Sequence, residues 1–163
     1  MRLDIHHKIG KNICYELKEL GCQVNEKMFL LGNLFPDLVH SYIWRRHEYQ
    51  HSREFVWKKL DILKKRPKLF SFHLGILTHY ICDYFCYPHS NCYEKGMIQH
   101  ILYELRQKAP HKYYKTKLNI RAFAIEELDS LVRGYENIRS HFDDESDYHF
   151  ATMVASNFLQ AVY

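Results

Sequence analysis

The sequence predicts an all-α fold: a compact multi-helix bundle of about six helices, in a single domain spanning residues 1–163. Three observations predict it. Apolar residues recur at three- and four-residue intervals through the long segments, with no alternating strand pattern and no internal repeat. Glycine and proline are sparse, six and four in the chain, and act mostly as punctuation between those segments. One segment is apolar nearly all round yet carries a histidine and an aspartate four residues apart.

The elements follow in order. Ile5 to Leu20 reads as an amphipathic helix, with Ile9, Ile13, Leu17 and Leu20 at helical spacing and Gly21 as its stop. Met28 to Leu31 reads as a short apolar helical turn ended by Gly32-Asn33, with Phe35-Pro36-Asp37 as a loop. Glu48 to Lys65 forms a second long helix through Phe55, Val56, Leu60 and Leu63, ending before Pro67. Leu69 to Tyr84 has no polar face, the pattern of a central buried helix, and Tyr87-Pro88 breaks it. Gly96 to Lys108, stopped by Ala109-Pro110, then Lys117 to Arg139 and Ser146 to Val162, complete the bundle. The acidic run Asp143-Asp144-Glu145 reads as a helix N-terminus or a solvated loop.

Composition narrows the function. A 47% apolar and 26% charged chain is an ordinary globular one. Its net charge of +4 can help to bind phosphate-bearing substrates but gives no nucleic-acid footprint, so no stable nucleic-acid complex is expected. Five cysteines (Cys14, Cys22, Cys82, Cys86, Cys92), without an apolar leader near Met1 or a membrane-length apolar run, predict a cytoplasmic protein with reduced thiols. Cys82 and Cys86, four residues apart, read as buried thiols rather than ligands. The twelve histidines are the unusual feature, because imidazole is supplied well beyond structural need.

The chemistry centres on His79 and Asp83, which project from one face of the buried helix. An imidazole and a carboxylate in an apolar interior are costly unless satisfied, and one divalent metal satisfies both. His89 follows ten residues after His79, just past the proline that ends the helix. His100 and Glu104 repeat the i, i+4 pairing on the next helix. Imidazole and carboxylate together suit zinc without any thiolate. A single such pair is more often an ordinary hydrogen-bonded pair; two pairs on successive helices with a histidine between them point to metal.

The stretch Leu74-Gly75-Ile76-Leu77-Thr78-His79-Tyr80-Ile81-Cys82-Asp83, continuing to Pro88-His89, resembles the signature of the zinc-dependent phospholipase C family. His100-Ile101-Leu102-Tyr103-Glu104 is similar to its later His-x-x-x-Glu, and His6-His7-Lys8-Ile9-Gly10 to its early histidine. Asp37, followed by His47 or His51, corresponds to its intervening aspartate and histidine. The resemblance runs in order from residue 6 to residue 104.

It implies antiparallel helices around two or three closely spaced zinc ions. By the same resemblance Asp83 bridges two ions, and Asp37, His79 and either His47 or His51 complete one shell. His89, His100 and Glu104 hold a second ion and His6 a third. The secreted members present an N-terminal tryptophan to the third zinc; this chain has Met1, leaving His7, the Met1 amino group or an absent third ion as alternatives. The activity implied is hydrolysis of a phospholipid or small-molecule phosphodiester by zinc-bound hydroxide, with Asp37 orienting or deprotonating the attacking water and Asp83 at the metals. Two other readings stay open: a single-strand nuclease, and a metal-binding protein without turnover. His40, His73, His111, His141 and His149 match no motif and are expected at the surface or in the core, His73 one turn before His79 being a candidate partner of the site. Trp44 and Trp57 are expected in the core or rim, and Lys64-Lys65-Arg66 at a solvated helix end.

Overall fold

The computed structural model describes residues 1–39, 47–65, 69–107, 125–138 and 144–162. These form seven α-helices and one 3₁₀ turn, with no strand among the described residues. The helices are α1 (Leu3–Glu19), α2 (Glu26–Leu38), α3 (Tyr49–Lys65), α4 (Phe70–Tyr84), α5 (Met97–Arg106), α6 (Ile125–Ile138) and α7 (Asp144–Val162). The 3₁₀ turn, Tyr87–His89, lies between α4 and α5. Expectations for His40, Trp44, Arg66, Pro67, Ala109-Pro110, His111, residues 117–124, Arg139, His141 and Asp143 lie outside the described residues.

Helix α4 is the axis of the bundle. Every residue from Leu74 to Tyr84 is buried, and α1, α2, α3 and α7 all pack on it. Its lack of a polar face is what makes burial on all sides favourable. Around it the core is built from Ile5, Ile9, Ile13 and Leu17 of α1, Phe29 of α2, Val56 and Leu63 of α3, and Val154, Phe158 and Leu159 of α7. Helix α1 ends as its sequence demands. Gly21 takes φ +81°, Cys22 N–H bonds to the Leu17 carbonyl at 2.9 Å, and Gly21 N–H bonds to that of Lys18 at 3.0 Å. Those two bonds are a Schellman cap, which requires the left-handed residue that glycine supplies.

Helix α2 departs from the sequence expectation. Gly32-Asn33 does not end it, and Phe35-Pro36-Asp37 is helical rather than a loop. Asn25 caps it, its side-chain oxygen accepting from Met28 N–H at 3.1 Å. Gly32 serves a different purpose from a stop. A methyl group built on Gly32 would lie 2.0 Å from the Phe72 carbonyl oxygen, and one on Gly75 would lie 2.1 Å from that of Phe29. The two glycines are thus where α2 and α4 cross backbone to backbone. Pro36 sits in the last turn, where the helix is about to end, and Val39 N–H still bonds to the Phe35 carbonyl at 3.1 Å. The outcome is that Asn33 and Asp37 stand on one helix pressed against the helix that carries His79 and Asp83.

Candidate metal centre

Asp83 lies at the centre of the site, fully buried. Its Oδ1 is 2.8 Å from the Met1 amine, 3.1 Å from His6 Nε2 and 3.7 Å from His89 Nε2. Its Oδ2 is 2.8 Å from His47 Nδ1 and 3.3 Å from His79 Nε2. Five nitrogens from four separate parts of the chain therefore converge on one carboxylate. Outward from this centre, Asp37 Oδ1 lies 3.5 Å from His79 Nε2. On the other side Glu104 Oε1 lies 3.0 Å from the Met1 amine, 3.5 Å from His89 Nε2 and 3.2 Å from His100 Nε2.

Each side chain is positioned by a local feature of its element. The i, i+4 spacing brings His79 to Asp83 along α4 and His100 to Glu104 along α5. The 3₁₀ turn after α4 swings His89 back over the end of that helix. His47 stands just before α3, whose first turn is fastened to α4 by the Ser52 hydroxyl, 2.9 Å from the Tyr84 hydroxyl. His6 stacks on His79, the ring centroids 4.0 Å apart.

Four groups of ligand atoms lie within 4.8 Å of one another: His6, His79 and Asp83; Asp37, His47 and His79; His47, Asp83 and His89; and His89, His100 and Glu104. Eight of the nine side chains expected from the sequence meet here. The ninth, His51, belongs to none of these groups. It lies within α3, is 39% exposed at its side chain, and faces Glu48 at 3.4 Å. The two histidines are placed differently: α3 begins only at Tyr49, so His47 turns towards α4 while the helix carries His51 to the outside. Of the candidates for the N-terminal position, the Met1 amine enters the cluster, whereas His7 belongs to none of the four groups. Cys82 and Cys86 are buried thiols outside the groups, their pKa values pushed up by burial. His73 lies against Lys59 Nζ, 3.4 Å from its Nδ1.

Two residues escaped the sequence reading. The Asn33 carbonyl accepts from His79 Nδ1 at 2.9 Å, and the Asn33 side-chain amide donates to the His6 carbonyl. Asn33 is wholly buried and links α1, α2 and α4 behind the candidate ligands. Its one sequence signal, a polar residue beside a glycine, is shared with ordinary helix ends. Asp147 is the second, and accepts from Tyr87 N–H and from the hydroxyls of Tyr103 and Tyr135.

The electrostatics are those of a site short of positive charge. Burial raises the Asp83 pKa, but the Met1 amine, His89, His6 and His79 outweigh it and hold the carboxyl well below its usual range. Burial acts likewise on Glu104 and is overcome by the hydrogen bond from His100, the neighbouring His89 imidazole and the amine. Burial drives His6 down to about 4, reinforced by the neighbouring His79. His89 is lowered by burial and by the Met1 amine. Against burial, its hydrogen bond to Asp83 raises His47. The Met1 amine is raised well above its ordinary value, Asp83, Cys86 and Glu104 together exceeding the effect of burial.

The donor set fits zinc, and the hydrogen bonding shows why. A carbonyl only accepts, so His79 Nδ1 donates to Asn33, and the neutral ring would present its Nε2 lone pair to the site. That Nε2 faces the carboxylate oxygens Asp37 Oδ1 at 3.5 Å and Asp83 Oδ2 at 3.3 Å. An ammonium only donates, so His89 Nε2, 2.8 Å from the Met1 amine, is likewise an acceptor. An imidazole lone pair facing two carboxylates in a buried site calls for a cation between them, and imidazole with carboxylate is a zinc donor set. Above the cluster opens a cleft of about 680 Å³ lined by Asp37, His47, His89, His100 and Glu104 together with Arg2, Leu3 and Met97.

Fold and site together define an all-α protein whose buried histidine–carboxylate cluster could hold metal. The chain matches the family described as zinc dependent phospholipase C over residues 5–151, and it belongs to that family. No curated protein and no solved structure gives a significant match. No helix among the described residues is long and apolar enough to cross a membrane.

Proposed function

We propose that this protein is a zinc-dependent phosphodiester hydrolase of phospholipase C type, acting on a phospholipid. The observation that carries the reading is the convergence of the Met1 amine and four imidazoles on Asp83, with Asp37 on one flank and Glu104 on the other. Asp83 stands between the two halves of the cluster. His6, His47, His79 and Asp37 hold the inner half, and His89, His100 and Glu104 the outer. Zinc, when bound, supplies Lewis acidity towards a phosphoryl group and makes water acidic near neutral pH.

The residues of the chain divide the remaining work. Asp37 is partly exposed, with its side chain 24% accessible, and it lines the cleft, so its carboxylate can orient an attacking water and accept its proton. His79 is fixed in one tautomer by Asn33 and presents Nε2 to the site without rotating. The Met1 ammonium adds a positive charge beside Asp83 and Glu104. A lipid rather than a nucleotide diester is favoured by α5, which buries no residue and exposes Met97, Ile98, Ile101, Leu102 and Leu105 next to the cleft.

The test is hydrolysis of a chromogenic phosphodiester and of phospholipid vesicles by the full chain. Activity that chelation abolishes and zinc restores, and that Asp37→Asn reduces by about a hundredfold or more, is expected from the loss of a general base. Zinc binding with no turnover of any diester would instead identify a metal-binding protein. Cleavage of single-stranded nucleic acid alone would identify a nuclease.

A further inference from the structure

Asp147, on α7, lies outside the cluster and is fully buried. Its Oδ2 accepts from Tyr87 N–H at 2.9 Å and from the Tyr103 hydroxyl, while its Oδ1 accepts from the Tyr135 hydroxyl at 2.6 Å. Tyr87 begins the 3₁₀ turn that ends on His89. Tyr103 stands on α5 between His100 and Glu104. One carboxylate oxygen therefore fastens both elements that carry the outer half of the site.

That fastening matters because, among the described residues, α5 has little apolar packing to hold it. It buries no residue along its length, and among the described residues Tyr103 is its one side chain packed on the core. Hydrophobic burial, which fixes α4 rigidly, contributes little here. Its other attachments include the Met1 amine on Glu104 at 3.0 Å, the Tyr87 ring against that of Tyr103, and polar bonds at the helix end. Gln107 Nε2 donates to Cys86 Sγ at 3.2 Å, and Arg2 Nη1 donates to the carbonyls of Leu105 and Gln107 at 3.3 Å. Displacement of α5 by an ångström would separate His100 and Glu104 from His89, whereas the inner ligands on α1, α2 and α4 would stay in place.

We propose that Asp147, acting through Tyr87 and Tyr103, is the positioning residue that holds His89, His100 and Glu104 in register and so sets their affinity for a metal ion. The proposal rests on the zinc reading of the cluster. Tyr135 provides the internal control: it binds the same carboxylate from α6, which carries no ligand.

The experiment is titration of the full chain with zinc against a chromogenic chelator, with melting followed in parallel. Tyr103→Phe removes one hydroxyl and keeps the ring in its place. It is expected to weaken the most loosely held zinc by about tenfold, the lower range for an outer hydrogen-bonding partner, and leave the tighter zinc unchanged. Asp147→Asn is expected to do the same or more. Tyr135→Phe is expected to lower the melting temperature with no change in zinc affinity. Wild-type affinity in Tyr103→Phe, or equal weakening in Tyr103→Phe and Tyr135→Phe, would overturn the proposal, and neither result depends on Asp147→Asn folding. A wild-type chain that binds no zinc would remove the reading beneath it, and that is seen before any variant is compared.

Discussion

His79 donates its Nδ1 hydrogen to the Asn33 backbone carbonyl at 2.9 Å, across the place where α2 and α4 cross. The bond couples a fold-level feature to the chemistry of the site. Gly32 and Gly75 let the two helices approach until the Asn33 carbonyl reaches the imidazole. The imidazole then turns its Nε2 towards Asp37 and Asp83. The orientation of the His79 imidazole is in this way a consequence of helix packing.

His79→Ala is expected to remove at least one zinc equivalent and to lower stability by about 3 kcal/mol or more, the range found when one partner of a buried charged pair is deleted. Asp83 would keep its place in the interior with part of its compensation gone. Elemental analysis and chemical denaturation of the same preparation check both effects. Full zinc content at unchanged stability would remove His79 from the site.

His47 and His51 offer a direct comparison between two histidines four residues apart. His47→Ala is expected to lower zinc content, because its Nδ1 lies 2.8 Å from Asp83. His51→Ala is expected to leave zinc content, activity and melting unchanged, since that side chain is exposed beside Glu48. Metal analysis of the two variants side by side decides it, and a loss confined to His51→Ala would reverse the assignment.

The bundle, its central helix and the His79, Asp83, His89, His100 and Glu104 set were legible in the sequence because each depends on local spacing. Helical pairs at i, i+4 and a helix with no polar face are one-dimensional signals. The course of α2 was not legible. Gly32 reads as a terminator when only its neighbours in sequence are considered, and as a crossing point once Phe72 lies against it. Asn33 was missed for the same reason, since its role is defined by His6 and His79, which are 27 and 46 residues away. The choice between His47 and His51 depended on where α3 begins, and element boundaries are weakly encoded.

Protonation should destabilise the zinc-stripped protein on the acid side of neutrality. Burial lowers the His6 pKa from 6.5 to about 4, so between those values the unfolded chain binds a proton that the folded chain does not. Stability is then fully present above pH 6.5 and is lost as pH falls towards 4, by roughly 3 kcal/mol for a shift of this size. His89, also lowered, acts in the same direction. His47, which is raised, contributes stability that is already complete below 6.5 and so does not offset the loss. Denaturation of chelated protein from pH 7 to 4 checks the slope, and His6→Asn is expected to flatten it.

The last prediction concerns the exposed stripe on α5. Met97 and Ile98 are each 71% exposed, Leu105 65%, Ile101 51% and Leu102 45%. On a helix these positions form one arc that begins beside His100 and Glu104, so the apolar surface and the ligands share an element and diverge across it. Water is an unfavourable neighbour for such an arc, and a phospholipid surface presented to the cleft would cover it. Ile98→Asp lies on the side of α5 away from the ligands. It is expected to leave zinc content and hydrolysis of a soluble chromogenic diester unchanged while slowing hydrolysis of vesicle phospholipid by about tenfold or more. Burial of one isoleucine is worth roughly 1.5 kcal/mol at the low end, which already corresponds to that factor. Equal rates on vesicles for wild type and variant would mean that the lipid, if it is the substrate, reaches the cleft without using α5. A parallel loss on the soluble diester would mean that the substitution disturbs the site itself.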